Sequence, residues 1–280
     1  MKTCLGLLVS AACLTVAVAQ SGKVEEEEIA VHSKIFNDYT RTPSVLGGYQ
    51  AETFAFANGG ALLGHMRDRS IDDATFDQVV RLVSPALTRQ NYIAASDPED
   101  TDLLIYVTWG ATDGTTMLRA PVFGGGPDFL ANGIDGSWYG GASVMNDLNA
   151  ARDGTNLSNA ALLGYREAML SHKNLRQLSV NGTVYDDLAA DVEEPRYFLI
   201  LTAFDFRMAW KEKKLVPLWS TRYNIATRGN HFTAALPGMS LFASRFFGRD
   251  SGGLVRRLNP IGKVDMADIQ ILGAVEEPAK

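Results

Sequence analysis

The stretch that decides the fold is Arg196–Met208, RYFLILTAFDFRM, followed by Leu215–Ala226, LVPLWSTRYNIA. Large apolar side chains alternate along both segments, with Phe198 and Tyr197 on opposite faces of the first. A polar turn separates the two segments, so they are expected to form a β-hairpin. Pro217 has no amide hydrogen to donate, which predicts an edge or a bulge at that position.

A βαβ unit precedes the hairpin. Ala51–Ala57 and Leu103–Trp109 have the composition of strands, and apolar residues recur at helical spacing across Ile71–Leu87. Two such strands joined through a helix are expected to run parallel with a right-handed crossover. Pro85 should kink the helix or restart it from Ser84. A last amphipathic helix is predicted at 232–247.

These elements predict one α+β domain over residues 50–250: a two-layer sandwich of a mixed β-sheet with amphipathic helices mainly on one face. The sheet is expected to contain the strands near Phe54, Ile105, Ile200 and Trp219. The helices at 71–87 and 232–247 each have one apolar stripe, and they need one face of the sheet to cover it.

A glycine-rich insert at about 110–194 interrupts this regular pattern. Helical spacing is confined to Leu157–His172, and the rest is typical of a long loop, which is commonly either functional or disordered. Flat rings can stack on a ligand or fill a groove, so we expect ligand binding here. The alternative is that the insert is a surface loop without a function. The candidate ligand-binding residues are Phe123, Phe129, Trp138 and Tyr139.

Residues 1–19 have the features of a cleavable secretory signal. Lys2 gives a positive start, Leu5–Val16 is an apolar run too short to span a bilayer, and Ala17–Ala19 is a small-x-small cleavage site. Cleavage is expected after Ala19. No long apolar stretch follows, so the mature chain is predicted to have no transmembrane segment.

The positions of the two cysteines limit both the expected cellular location of the protein and the chemistry that its mature chain can perform. Cys4 and Cys13 both lie in the signal, so the mature chain offers no disulfide and no thiolate. A cysteine-free exported chain suits the periplasm or outer-membrane periphery of a bacterium. Acylation of Cys13 is the alternative, but Ser10 stands where a lipoprotein signal needs a branched apolar residue, which argues against a lipid anchor.

Two flanking segments complete the chain. Residues 20–49 are polar and begin with the run Glu25–Glu28, which is typical of a leader or tether. Residues 251–280 are predicted to be a C-terminal tail with one weak strand signal at Ile269–Val275. The net charge of −6 is scattered along the sequence, which argues against nucleic acid as a partner.

No catalytic or metal-binding motif is present. The Gly-x-Ser-x-Gly elbow of serine hydrolases is absent around Ser137 and Ser143. The glycine run Gly124–Gly126 is not expected to bind phosphate, because Pro127, which follows it, has no backbone amide hydrogen to donate. The four histidines are dispersed and form no His-Glu-x-x-His pair. The sequence therefore predicts no catalytic residue, no metal and no cofactor. The histidines are His32, His65, His172 and His231.

Five segments together resemble a large family of small exported bacterial domains of unknown function, many of them lipoproteins. The family would imply a two-layer α+β fold in the envelope, and it brings no catalytic residues. This chain departs from it in the insert, the tail and the poor lipoprotein signal. The matching segments are Thr53–Phe56, Ile71–Leu87, Asp102–Ile105, Lys213–Trp219 and Phe232–Phe247.

Three functions from different classes remain open. The favoured one is a non-catalytic envelope protein that binds or scaffolds a partner, either an envelope protein or a glycan. The second is a carbohydrate- or peptide-binding module that uses the four aromatic residues of the insert. The third is a hydrolase with dispersed groups. A basic or aromatic-lined concavity would favour binding, whereas a buried Asp–His pair beside an exposed serine would favour hydrolysis.

Overall fold

The computed structural model describes residues 27–45, 47–65, 68–115, 138–176 and 182–259. Within them, seven strands form one mixed sheet in the order β3-β2-β4-β5-β6-β1-β7. β2 runs parallel to β3 and β4, and every other neighbouring pair is antiparallel. The strands are β1 (Glu27–Ile35), β2 (Glu52–Leu62), β3 (Tyr92–Ala94), β4 (Leu103–Ala111), β5 (Arg196–Asp205), β6 (Pro217–Ala226) and β7 (Leu254–Asn259).

Seven α-helices accompany the sheet within the described residues, which confirms the α+β class. They are α1 (Arg69–Asp72), α2 (Phe76–Thr88), α3 (Trp138–Leu163), α4 (Arg166–Arg176), α5 (Gly182–Glu193), α6 (Phe206–Lys211) and α7 (Phe232–Ala243).

The predicted helix at 71–87 is two helices in the structure. Thr75 starts the second one through a reciprocal capping box, in which Thr75 and Gln78 each accept a hydrogen bond from the other's backbone amide. Pro85 lies inside α2, which continues to Thr88 instead of restarting at Ser84.

The main core lies between one face of the sheet and the helices α2 and α7. Alternate residues of β5 point to this face, including Tyr197, Leu199 and Leu201, and all three are buried. Val83 of α2 and Leu236 of α7 belong to the same cluster. The two helices therefore share one face of the sheet, as their apolar stripes predict.

The helices α3, α4 and α5 cover part of the opposite face. Phe198, next to Tyr197 on β5, packs with Leu163, Leu188 and Val192 in a second cluster. Where it is described, the insert is thus a helical third layer, although its sequence predicts helix only at Leu157–His172.

Two flanking segments contribute strands that the sequence analysis does not predict. Within 20–49, β1 lies between β6 and β7, and Ile29, Ala30 and Val31 are all buried. Because a run of glutamates precedes this short apolar stretch, its sequence pattern does not indicate a strand. Within 251–280, β7 pairs with β1. Residues 1–26 and 260–280, including the signal and the weak strand at 269–275, lie outside the described residues.

The predicted hairpin of β5 and β6 is confirmed, with one change. Asp205 ends the first strand because its carboxylate accepts a hydrogen bond from the Met208 amide at 2.9 Å, which caps the short helix α6. The register shifts between Ala203 and Phe204, where Phe204 pairs with Pro217. This irregularity matches the bulge expected from the proline.

Candidate functional site

A cleft of about 590 Å³ opens between the helices α3, α4 and α5. Every described residue that lines it belongs to the insert. The lining residues that carry the argument below are Leu157, Arg166, Met169, Leu170, Lys173 and Tyr185.

One face of α4 forms a wall of the cleft. Arg166, Met169, Leu170 and Lys173 follow the spacing i, i+3, i+4, i+7, which places them in a single stripe along the helix. The two cations stand at the ends of the stripe, about 10 Å apart along the helix axis. Between them, the Leu170 side chain is 54% exposed, so the centre of the wall is apolar and open to solvent.

The wall contributed by α3 is also apolar at its centre. Leu157 is 58% exposed, and Ala160 lies buried beneath it. Asn156 connects α3 to α5, since its side-chain amide donates a hydrogen bond to the Glu193 carboxylate at 3.3 Å. The cleft therefore has a fixed polar end beside α5 and an apolar centre.

The cations of the cleft differ in their partners. Arg152 lies 3.0 Å from the Asp153 carboxylate and 4.0 Å from that of Glu193. Among the described residues, Arg166 and Lys173 have no carboxylate partner. Charge-assisted hydrogen bonds from free guanidinium and ammonium groups recognise carboxylates well. The lining also carries the carboxylates of Asp153, Asp186 and Glu193, so it is the α4 wall, and not the cleft as a whole, that offers two cations to an anionic ligand.

A buried network fixes the cleft to the sheet. The Asp191 carboxylate of α5 accepts hydrogen bonds from the Tyr165 hydroxyl at 3.2 Å and from Arg256 of β7 at 2.9 Å. It also lies 3.6 Å from the guanidinium of Arg196 on β5, which is 2% exposed. Burial raises the pKa of the Tyr165 hydroxyl, so it remains a neutral donor. These contacts hold α5 and the junction of α3 and α4 against two strands, β5 and β7.

The junction of α3 and α4 also rests on His32 of β1. Burial lowers the pKa of His32 below its ordinary value, and the carboxylate of Glu167, 3.7 Å from its Nε2, opposes this only in part. Glu167 is held in turn by Lys34 at 3.0 Å. The base of α4 is therefore tied to β1 by both packing and charge.

The structure does not test the aromatic residues predicted to bind a ligand. Phe123 and Phe129 lie outside the described residues. Trp138 and Tyr139 are the first two residues of α3, and their side chains also lie outside what is described. The described lining depends on the 166–173 stripe, whose helical spacing is visible in the sequence.

The described histidines and carboxylates form no metal centre. Across the described part of the chain, no group of three or more histidine, cysteine, aspartate or glutamate side chains is placed to hold a metal ion. Among the helices in the same ranges, none is both long and apolar enough to cross a bilayer.

Comparisons with known proteins do not assign this chain to a family. No family model matches the chain, and neither does any curated protein. The solved structure of a PDZ domain protein from Parabacteroides distasonis aligns with 82% of this chain at 10% sequence identity and a TM-score of 0.38. The chain spans 39% of that protein's length. A TM-score this low does not relate the two folds.

Proposed function

We propose that this chain is an exported bacterial envelope protein that binds a partner in the cleft between α3, α4 and α5, and that no catalysis takes place in this cleft. The observation that carries the proposal is the stripe of Arg166, Met169, Leu170 and Lys173. Exposed apolar side chains rimmed by polar groups are characteristic of interaction sites. A concavity whose wall carries two cations without a carboxylate partner supports binding over hydrolysis as the role of this cleft.

The occupant that fits this cleft best is an acidic, amphipathic helical segment of another envelope protein. An apolar groove between helices accepts such a segment through residues at i, i+3, i+4 and i+7. Two carboxylates seven positions apart on the segment would match the separation of Arg166 and Lys173. The leucine side chains at 157 and 170 would cover the apolar face between them.

A glycan is the weaker candidate for this cleft. Sugar rings are bound mainly by stacking on flat aromatic side chains, and Tyr185 is the one aromatic residue in the described lining. The four aromatic residues predicted for this role lie outside the described side chains and carry no part of this proposal.

The proposed location rests on residues 1–19. Their charge, apolar length and cleavage pattern support export, and the absence of cysteine after Cys13 supports a bacterial envelope. Mass spectrometry of the protein from its native host tests this part: the expected N-terminus is Gln20. A diacylglycerol-modified Cys13 at the N-terminus would contradict it.

A peptide pair tests the proposed binding. The probes are two amphipathic peptides of about 18 residues, roughly five helical turns, identical except that two glutamates seven positions apart in one are lysines in the other. Fluorescence anisotropy with the chain from Gln20 onward should show at least about tenfold tighter binding of the glutamate peptide. Equal affinity for the two peptides, or no binding of either, would contradict the proposed occupant.

A further inference from the structure

A second, shallower groove of about 630 Å³ lies at the carboxyl ends of the adjacent parallel strands β2 and β4. Leu62, Leu63 and Gly64 follow β2 along one side, and Thr112 and Asp113 follow β4. The opposite wall is a surface of α3 with small side chains: Ala150, Ala151, Gly154, Thr155 and Ser158.

The connections that follow β2 and β4 lead from this groove to helices on opposite faces of the sheet. After β2 the chain enters α1 and α2, and α2 packs on the face of the sheet that carries the main core. After β4 the next described helix is α3, which packs on the opposite face. In α/β sheets, ligands bind outside the carboxyl ends of parallel strands at the point where the connections switch faces.

A histidine and an aspartate meet at the edge of this groove. Both oxygens of the Asp113 carboxylate contact His65: one accepts from the His65 backbone amide at 2.6 Å, and the other lies 2.7 Å from Nδ1. A carboxylate on Nδ1 holds the proton there and leaves the lone pair on Nε2. The His65 side chain is 96% exposed and lies outside the groove lining, so its Nε2 is open to solvent beside the groove.

Backbone contacts fix the aspartate. The Asn159 side-chain amide donates a hydrogen bond to the Asp113 carbonyl at 2.8 Å, which links the end of β4 to α3. A Cβ on Gly64 would fall 2.7 Å from Asp113 Oδ1 and 3.3 Å from the Ala111 carbonyl oxygen. Glycine at position 64 therefore allows the carboxylate to reach the backbone of His65.

We propose that His65 is the general base of a hydrolytic site at the edge of this groove, positioned by Asp113, and that the substrate is a neutral ester whose apolar acyl group lies in the groove. Leu62 and Leu63 are about half exposed and supply the apolar surface. Among the described lining residues, Asp113 is the one with an ionisable side chain, so this part of the lining offers no cation to bind an anionic substrate.

The nucleophile in this proposal is water. Nε2 takes a proton from the water molecule as its oxygen bonds to the acyl carbon, and the ester C–O bond then breaks. The departing alkoxide takes the proton from Nε2, which leaves a carboxylic acid and an alcohol. Thr155 and Ser158 donate their hydroxyl protons to carbonyl oxygens of α3, at 3.1 and 3.2 Å, so neither hydroxyl is activated as a nucleophile.

Hydrolysis of p-nitrophenyl butyrate by the chain from Gln20 onward tests the site. His65→Gln should lower kcat/KM by about a hundredfold or more, whereas His231→Gln, which removes another exposed histidine, should leave it unchanged. Equal rates for the wild-type protein and His65→Gln, or equal losses in both variants, would overturn the proposal. Loss of the activity in Ser158→Ala would overturn the role of water.

The positioning role of Asp113 needs a separate readout. Asp113→Asn should lower kcat/KM and shift the ¹⁵N resonances of the His65 ring toward a mixture of tautomers, because an amide does not hold the proton on Nδ1 in the way a carboxylate does. Exposed ion pairs contribute little to stability, so both variants are expected to fold, which circular dichroism would check. Unchanged ring resonances in Asp113→Asn would rule out the positioning role.

Discussion

Gly164, at the turn between α3 and α4, lies directly against His32 of β1: a Cβ on residue 164 would fall 2.5 Å from the Cβ of His32. The backbone at Gly164 has a φ of +86°, a conformation that favours glycine. This contact joins a strand from the polar N-terminal segment to the helices of the insert. Both segments are therefore parts of one packed domain.

Gly164→Ala should destabilise the protein by about 2 kcal/mol or more, because it combines a left-handed backbone with a steric clash. Urea unfolding measures the change. The matched control is Gly154→Ala within α3, where an added Cβ meets nothing within 4 Å. That control should be neutral or stabilising by up to about 1 kcal/mol. Equal effects in the two variants would contradict the close packing at Gly164.

The stability of the protein should fall as the pH drops below about 6.5, the ordinary pKa of histidine. Burial lowers the pKa of His32 in the folded state, while Glu167 and Asp250 oppose this shift and Arg222 adds to it. The unfolded chain then binds the proton more readily, so stability is lost between the unfolded and the folded pKa.

Unfolding free energies of the wild-type protein and His32→Gln between pH 7.5 and 5 isolate this contribution. The variant should show a shallower loss over that range, since it lacks the titrating group. If both proteins lose the same stability, His32 is not responsible.

Arg41 should be essential for folding of the N-terminal part of the domain. Its side chain is 1% exposed, pairs with Glu52 at 3.0 Å and stacks over the ring of Tyr92. Arg41→Met would remove the cation from the partly buried carboxylate of Glu52, which keeps only the hydrogen bond from the Tyr39 hydroxyl, at a cost of about 3 kcal/mol. Arg89→Met, at an exposed position, should change stability by less than about 0.5 kcal/mol. Similar melting temperatures for both variants would argue against a buried pair.

The cations of the cleft should control which partner binds and not whether the protein folds. Replacing Arg166 and Lys173 together by glutamate should reverse the preference between the two test peptides, because acidic peptides would then be repelled. Both side chains are exposed, so the melting temperature should change little. Lys214→Glu is the matched control on another surface, and it should preserve the wild-type preference. If the double variant keeps the wild-type preference, peptide binding does not depend on these two charges.

The central part of the fold can be predicted from the sequence because large apolar residues recur at alternate positions along its strands. The strands around Ile105, Ile200 and Trp219 each place large apolar residues on one face, and the two predicted helices have stripes that match it. The strand β1 escapes prediction because its apolar core is Ile29–Val31, three residues next to a run of glutamates. Its burial depends on pairing with β6, a contact distant in sequence.

The candidate sites are harder to predict from the sequence because distant residues form them. His65 and Asp113 are 48 positions apart and meet only because β2 and β4 are adjacent and parallel. The stripe on α4 is local, but its meaning depends on which side chains of α3 and α5 face it, among them Asp153, Asp186 and Glu193. Neither fact is contained in residue spacing.

Site-specific photo-cross-linking in the native host tests the central claim most directly. A benzophenone amino acid in place of Leu170 should capture one protein, and the mapped adduct should lie in an acidic amphipathic segment. The same group in place of Leu241, which is 44% exposed on α7, should not capture it. The adduct should also disappear when Arg166 and Lys173 are replaced by glutamate. Identical products from the two positions, or an adduct that survives the charge reversal, would contradict binding in the cleft.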